Sequence, residues 1–596
     1  NHTGLNIKVG KCNAIMDEDK LLIAGKSIYQ QLKKYFGFKQ KRVMFYNYFK
    51  TAIRRLLRNK SISVINIVGL SLGMAVTFVI LTFVFHELSY DKYHKKKERI
   101  YRVLQENRRV DMTMTHTPYP IADILKEEYP QIEQTARVFG LFNTQVQKGQ
   151  QFIEETNFYC ADAALFDILT LPLMKGDPDE ILNESRDLVL TETMARKYFG
   201  NLNVIGRELV IRNAGDEFLL NVSGVLEDIP GNSTLKPDFL VPIDLSLQQY
   251  NKLVKSTNKR EFSQEDIRNS WDAGLYLTYV LTTNPLDPES FESKLRNLEK
   301  KYLEEPGKKN YHLQPLEEIY FHSEDIFSDY FVKGDLTEVY IFGIIAFLVL
   351  IIACINYILL STSQAVNRSY EVGIRKINGA GRKYLFSQVL TESFLLTLIA
   401  FPLSLILIEQ LRPLLNSFLE KDFIQYGLLD WKMLISFAGV IFILSYLPGI
   451  FTMRYYSRIS PVIALSHNYS PVSSSARVQK SLIAVQFVIF LVLVSASLGI
   501  YKQIRFSRDH ELGFDTEQII ILPISGDPSL KSSFLEFKDA LLSHNQIKHV
   551  SAAMWVPPTN NTMGMEVSKP GNPEEKISLE GLYVEKDFAE TMGIKI

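Results

Sequence analysis

Val339-Tyr-Ile-Phe-Gly-Ile-Ile-Ala-Phe-Leu-Val-Leu350-Ile-Ile-Ala-Cys-Ile-Asn356-Tyr-Ile-Leu-Leu360 carries no charge along its whole length. A bilayer core takes roughly 20 apolar residues as a helix, because lipid offers no partner to an exposed backbone group. The run reads as a membrane span, the most apolar of five. The others are Ser61–Phe85, Leu385–Ile408 with Glu392 and Pro402 inside it, Met433–Met453 with Pro448-Gly449, and Ser481–Tyr501. Each is too long for a core strand.

Outside these runs the 596-residue chain is polar. Lys+Arg and Asp+Glu both number 66, and a net charge of +0 gives nucleic acid no electrostatic footing. Cys12, Cys160 and Cys354 have neither metal-ligand spacing nor the number for a disulfide framework. Basic residues crowd three short connections: Lys50, Arg54, Arg55, Arg58 and Lys60; Arg368, Arg375, Lys376, Arg382 and Lys383; Arg454, Arg458, Arg477 and Lys480. The segment Glu409–Trp431 is balanced or acidic, so the positive-inside rule places the N-terminus in the cytoplasm. Lys95, Lys96 and Lys97 point the other way, but they open a domain long enough to cross regardless of charge. The first span lies too deep for a cleavable signal peptide and is expected to anchor the chain itself.

The expected layout is a multi-span α-helical membrane protein with large α+β extracytoplasmic domains. Residues 1–43 form an extension of no readable role, 44–60 a cytoplasmic amphipathic helix, 61–85 the first span and 86–336 the outer domain. The second span takes 337–360, a cytoplasmic loop 361–384, the third span 385–409 and a short outer loop 410–431. The fourth span takes 432–453, a cytoplasmic linker 454–480, the fifth span 481–501, and 502–596 begins a second outer domain. A weak internal repeat supports this order, with Asn59-Lys60-Ser61 echoed by Gln479-Lys480-Ser481 and the strand-like Ile100–Val103 by Ile520–Leu522. On that reading the chain stops inside its second half, a fragment of a longer protein.

In 86–336, strands are expected at Arg137–Val146, Asp187–Leu190, Glu208–Ile211, Leu219–Leu226 and Leu275–Leu281, and helices at Ile121–Tyr129, Glu192–Tyr198 and Pro288–Leu303. His86, His94, His116, His312 and His322 lack the spacing that puts two zinc ligands on one helix face, and no Gly-x-Ser-x-Gly elbow occurs. Catalytic residues and metal ligands are accordingly none. Gly25-Lys26-Ser27 ends like a phosphate loop, but Lys20 stands where its first glycine belongs, so no ATPase is expected in this chain.

The loop after the second span is the most informative. As a helix, Tyr370, Ile374 and Ile377 share one face with Gly381, while Glu371 and Arg375 form a favourable pair one turn apart. Gly379-Ala380-Gly381 breaks the helix before the third span. Such a short amphipathic helix could transmit force from a docked partner or rest on lipid headgroups.

Asn356-Tyr357 through Ser361-Thr362, then Glu371-Val-Gly373-Ile374-Arg375-Lys376, Gly379-Ala380 and Gln388-x-x-x-Glu392-Ser393, resemble the signature of MacB/FtsX-type ABC transporter permeases. Arg58–Ser61, Ile65-Asn66-Ile67 and Gly69-Leu70-x-x-Gly73 are similar to the family's first span. Thr191–Gly200 with Ile205-Gly206 resembles its periplasmic core domain, and Ser460-Pro461-x-x-Ala464-Leu465 the segment after the fourth span. The layout is similar to a double-length form in Bacteroidetes-like bacteria, here C-terminally truncated. The fifth span departs by lacking the Gly-x-x-x-Gly of the first, and three further spans are missing.

The resemblance implies a permease subunit, not an enzyme, in the bacterial inner membrane. A separate cytoplasmic ABC ATPase would hold the Mg-ATP, with no cofactor on this chain. Glu371, Gly373, Ile374, Arg375, Lys376, Gly379 and Ala380 would be the ATPase-coupling contacts. The first two spans would act as levers on the outer domain, for export or extraction of an antimicrobial peptide, lipid or lipoprotein, or for a periplasmic adaptor or envelope partner. Gly69 and Gly73 would allow close helix packing, or simply face lipid. Phe45, Tyr48, Phe49, Ala52, Ile53 and Leu56 would lay the first helix on membrane lipids. Glu392 would be a functional intramembrane acid, or pair with Arg382 or Lys383. A membrane sensor or scaffold without an ATPase is the alternative; an anchored envelope hydrolase lacks its catalytic constellation.

Overall fold

The computed structural model describes residues 46–594 except 47, 109–111, 214, 251–262, 272–273, 304–308, 328, 330, 420–430, 458–472, 510–512, 515–517, 523, 525–529, 531–532, 558–562 and 570–571. The 1–43 extension, Phe45, residues 420–430 of the short outer loop and the Ser460-Pro461 motif lie outside the described residues.

Among the described residues, five helices are long and apolar enough to cross a membrane: Lys60–Glu87, Leu336–Ser363, Arg382–Leu414, Met433–Arg454 and Arg477–Arg508. They fall where the long apolar runs are, because in lipid only a fully hydrogen-bonded helix of that length is tolerable. The chain divides into two units: 1–84 with 341–499, and 85–340 with 500–596.

In the first unit, four of the spans share one core. Leu70, Met74 and Phe78 of the first helix meet Leu350, Ala353 and Tyr357 of the second, Leu396 and Ala400 of the third, and Phe437 and Leu444 of the fourth. Phe78 packs its ring against Phe437 at 4.2 Å and edge-on to Phe401 at 6.1 Å between centroids. Residues 48–58 form a helix just before the first span. The most apolar stretch of the fifth helix buries none of its residues.

One expectation needs correcting. The segment carrying Glu371–Lys376 is no separate short helix; the second span's helix runs unbroken from Leu336 to Ile377. Nothing between Ser361 and Ile377 stops it, since no proline intervenes and Gly373 sits buried within the helix. It ends as foreseen: Gly379 takes φ +83, Ala380 N–H bonds to Arg375 O at 2.9 Å and Gly379 N–H to Lys376 O at 3.1 Å. That pair of bonds around a left-handed glycine is a Schellman cap.

The second unit is built on a mixed fourteen-stranded sheet. Along it lie Lys309–Pro315, Ile100–Asn107, Gly274–Thr282, Ile132–Gly140, Phe158–Ala161, Phe239–Pro242, Asp187–Thr191, Asp216–Leu226, Glu208–Asn213, Thr144–Lys148 and Gln151–Glu155. Phe239–Pro242 runs parallel to Phe158–Ala161, and Asp216–Leu226 parallel to Asp187–Thr191. Leu188, Leu190, Phe239 and Val241 enter one hydrophobic cluster, while Val189 and Leu240 between them enter another. Both faces are thus covered, which is why these strands read as continuous apolar runs.

The helices Ile121–Glu128, Glu192–Phe199 and Pro288–Tyr302 lie where periodicity puts them. The run expected as one strand from Arg137 to Val146 is two strands, broken between Gly140 and Thr144 with Asn143 at φ +55. Ile520–Leu522, expected as a strand, is unpaired and exposed. Further on, Met563–Lys569 and Asn572–Gly581 pair as a hairpin that patterning did not reveal.

Candidate functional site

Val372 anchors the C-terminal end of the second span's helix. It is buried against Leu385 and Val389 of the third helix and Met453 of the fourth. On a 3.6-residue period this turns Tyr370, Ile374 and Ile377 outward, and all three are exposed. Gly373 is buried and Gly379 exposed. Lys376 lies partly buried; that burial, followed by the charge of Arg382, holds its ammonium below the usual lysine value.

A chain of charges runs beside it. Arg375 Nη2 meets Glu371 Oε1 at 2.6 Å, one turn apart, and Arg375 Nη1 donates to Gln388 Oε1 at 2.5 Å on the third helix. Arg55, from helix 48–58, places Nη2 on the same Glu371 oxygen and Nη1 3.3 Å from Glu392 Oε2. The Arg55 and Glu392 side chains are only 18% and 11% exposed, so water does little to weaken their attraction. Glu392, expected either as a functional intramembrane acid or as a partner of Arg382 or Lys383, is met here by Arg55 of a different helix. Tyr48 and Ala52, two turns and one turn before Arg55 and expected on lipid, are instead buried, and Tyr48 meets the Tyr384 ring edge-on at 5.1 Å.

Sequence reasoning missed Arg55 and Gln388 as partners. The available signal was an arginine on the same helical face as Tyr48 and Ala52, a face otherwise free of charge.

Deeper in the unit, a Cβ on Gly69 would stand 2.8 Å from Asn356 Nδ2, and one on Gly73 2.7 Å from Ala353 Cβ. The first and second helices therefore approach closely at both glycines. Tyr357 donates to Ser393 Oγ at 3.0 Å, and Ser71 donates to Ala400 O at 3.1 Å, tying second to third and first to third helices.

In the second unit, the ends of the first two span helices come to one tyrosine. Tyr320 donates to Glu87, the last residue of the first helix, and stacks on Tyr90 with centroids 3.5 Å apart. Gly334, two residues before the second helix, lies so close to the Tyr320 ring that a Cβ there would collide with it. Nearby, the fully buried Arg102 binds Asp329 at 2.9 Å, Gln314 at 2.7 Å and Ser323 at 3.1 Å. Among the described residues no group of His, Cys, Asp and Glu is placed to hold a metal ion.

The sequence matches the family model of the MacB-like periplasmic core domain over 63–298 and that of the FtsX-like permease C-terminal region over 343–461. Among solved structures, a domain described as that of a permease protein from Porphyromonas gingivalis is similar at 22% identity, covering 37% of this chain and 92% of that one, with a TM-score of 0.31. The periplasmic region of MacB from Actinobacillus actinomycetemcomitans is 16% identical over 37% of this chain and 90% of its own, TM-score 0.26. The extracellular domain of the noncanonic ABC-type transporter YknZ from Gram-positive bacteria is 14% identical over 36% and 99%, TM-score 0.23. No curated protein matches the chain.

Proposed function

The chain belongs to the MacB/FtsX-type ABC transporter permeases, and from that premise we propose that it couples ATP hydrolysis on a separate subunit to movement of its outer domain. One observation supports this reading above the rest. The helix Leu336–Ile377 is a single rod of about 60 Å at 1.5 Å per residue, and its cytoplasmic end presents Tyr370, Ile374 and Ile377 to solvent. Three exposed apolar side chains on one face at a capped helix end suit a groove on another protein better than water.

On this proposal Mg-ATP is bound by a cytoplasmic ABC ATPase that seats the segment Glu371–Ala380. Glu371 and Arg375 act from behind the contact, since their partners Arg55 and Gln388 belong to this chain. Closure of the ATPase pushes the helix end. Val372, packed on the third and fourth helices, passes that displacement into the membrane bundle. The protein sits in the bacterial inner membrane as a multi-pass subunit with its N-terminus inside. Its cargo is a peptide, lipid or lipoprotein of the envelope, or its output is the activation of an envelope partner.

The test is co-purification of the full chain from its own host. An ABC ATPase should accompany it, and Ile374→Glu with Ile377→Glu should lower its recovery roughly tenfold or more, because a charge would be driven into an apolar contact. Undiminished recovery with the double variant would remove this face from the interface; recovery of no ATPase with the unaltered protein would remove the function.

A further inference from the structure

The geometry points to Arg55 as the positioning residue of the cytoplasmic side: by holding Glu371 and Glu392 at once, it makes helix 48–58 move as one body with the coupling segment and the third helix. The inference rests on the reading of Glu371–Ala380 as that segment, and it adds an element that the segment's own sequence does not contain.

Three separate pieces of chain meet at one guanidinium. Arg55 belongs to helix 48–58, Glu371 to the end of the second span's helix and Glu392 to the third helix. A guanidinium presents several donors in a fixed planar fork and can serve two carboxylates in different directions, whereas an ammonium is a compact point charge on a flexible stem. The pair of Arg55 with Glu392 is sheltered on both sides, at 18% and 11% exposure, whereas Glu371 is 42% exposed and its pair is the more weakened by solvent. Neighbouring packing aims it: Tyr48 and Ala52 on the same face are buried, with Tyr48 against Tyr384 at the start of the third helix.

Glu371 would survive the loss of Arg55, because Arg375 holds it from one turn away at 2.6 Å. The helix through Ile377 would therefore keep its local structure, and its link to helix 48–58 is what would fail. This separates a positioning role from a merely structural one. The opposite face of helix 48–58 carries exposed Phe49, Ile53 and Leu57 beside exposed Lys50, Arg54 and Arg58, a pattern suited to the headgroup layer. A helix lying in that layer would give the segment a fixed reference in the plane of the membrane.

Spin labels at Leu57 and Ile377, both exposed, read the link directly in the full chain in nanodiscs, with its three native cysteines replaced. The unaltered clamp should give one narrow distance distribution. Arg55→Gln should broaden it at least twofold with the chain still folded and monodisperse, and Arg55→Lys should fall between. Glu371→Gln, on the more exposed side of the clamp, gives the same broadening should Arg55→Gln fail to fold. A distribution that stays narrow in both Gln variants, or one already broad with Arg55 present, overturns the inference. The measurement needs no ATPase, so it can fail while co-purification succeeds, and the reverse.

Discussion

Gly69 and Gly73 stand on the same face of the first helix, yet the two positions differ in what a side chain would meet. A methyl group at Gly69 would touch Asn356 Nδ2, the far end of a side chain that can turn aside. At Gly73 it would touch Ala353 Cβ, which has no rotation to offer, so the two helices themselves must part. Overpacking of this kind costs roughly 1–3 kcal/mol, and Gly73→Ala should lower the apparent melting temperature of the purified protein by roughly 2–10 °C. Gly69→Ala should cost clearly less. Ala353→Gly in the Gly73→Ala background should restore most of the loss, since it removes the very atom in the way. Equal melting temperatures for the two single variants would show that the helices are not in this register.

The cap at Gly379 belongs to the scale of the element. Nothing lies within reach of a Cβ there, so the only penalty for a side chain is the left-handed backbone at φ +83. That penalty is about 1–2 kcal/mol for alanine and less for asparagine, whose side chain tolerates the conformation. Gly379→Ala should therefore fray the last turn and speed amide exchange at residues 375–380 by roughly 5–30-fold, with Gly379→Asn between alanine and glycine. Identical exchange in all three would mean that the cap is not what ends this helix.

Legibility from sequence follows the range over which each feature is encoded. The spans were readable because a bilayer imposes length and polarity on contiguous residues, and the Gly379 break because a helix end is written in a few neighbours. Within the fourteen-stranded sheet, runs such as Asp187–Leu190, Glu208–Ile211, Leu219–Leu226 and Leu275–Leu281 are legible as strands, whereas Phe158–Ala161, Phe239–Pro242 and Lys309–Pro315 are not, and the turn at Asn143 sits inside an apolar run that a sheet covered on both faces makes continuous. The Arg55 clamp could not be read locally. Its partners are 316 and 337 residues away in the chain, and no periodicity relates them. Arg55 itself was counted only as one of several cytoplasmic basic residues.

Across the whole molecule, the first and second helices are held by contacts in each unit. In the second unit Tyr320 contacts both Glu87, where the first helix ends, and Gly334, shortly before the second begins. In the first unit the same two helices lie close at Gly69 and Gly73. Within each unit taken by itself, the two helices are thus held by contacts of their own. On the proposed function, the exposed face at the end of the second helix is where an ATPase applies its force. A photoreactive residue replacing Ile377, irradiated in intact cells and followed by identification of the adduct, tests that most directly. A covalent adduct with an ABC ATPase is the expected result; adducts confined to envelope-side proteins or to lipid would take the ATPase contact away from this face.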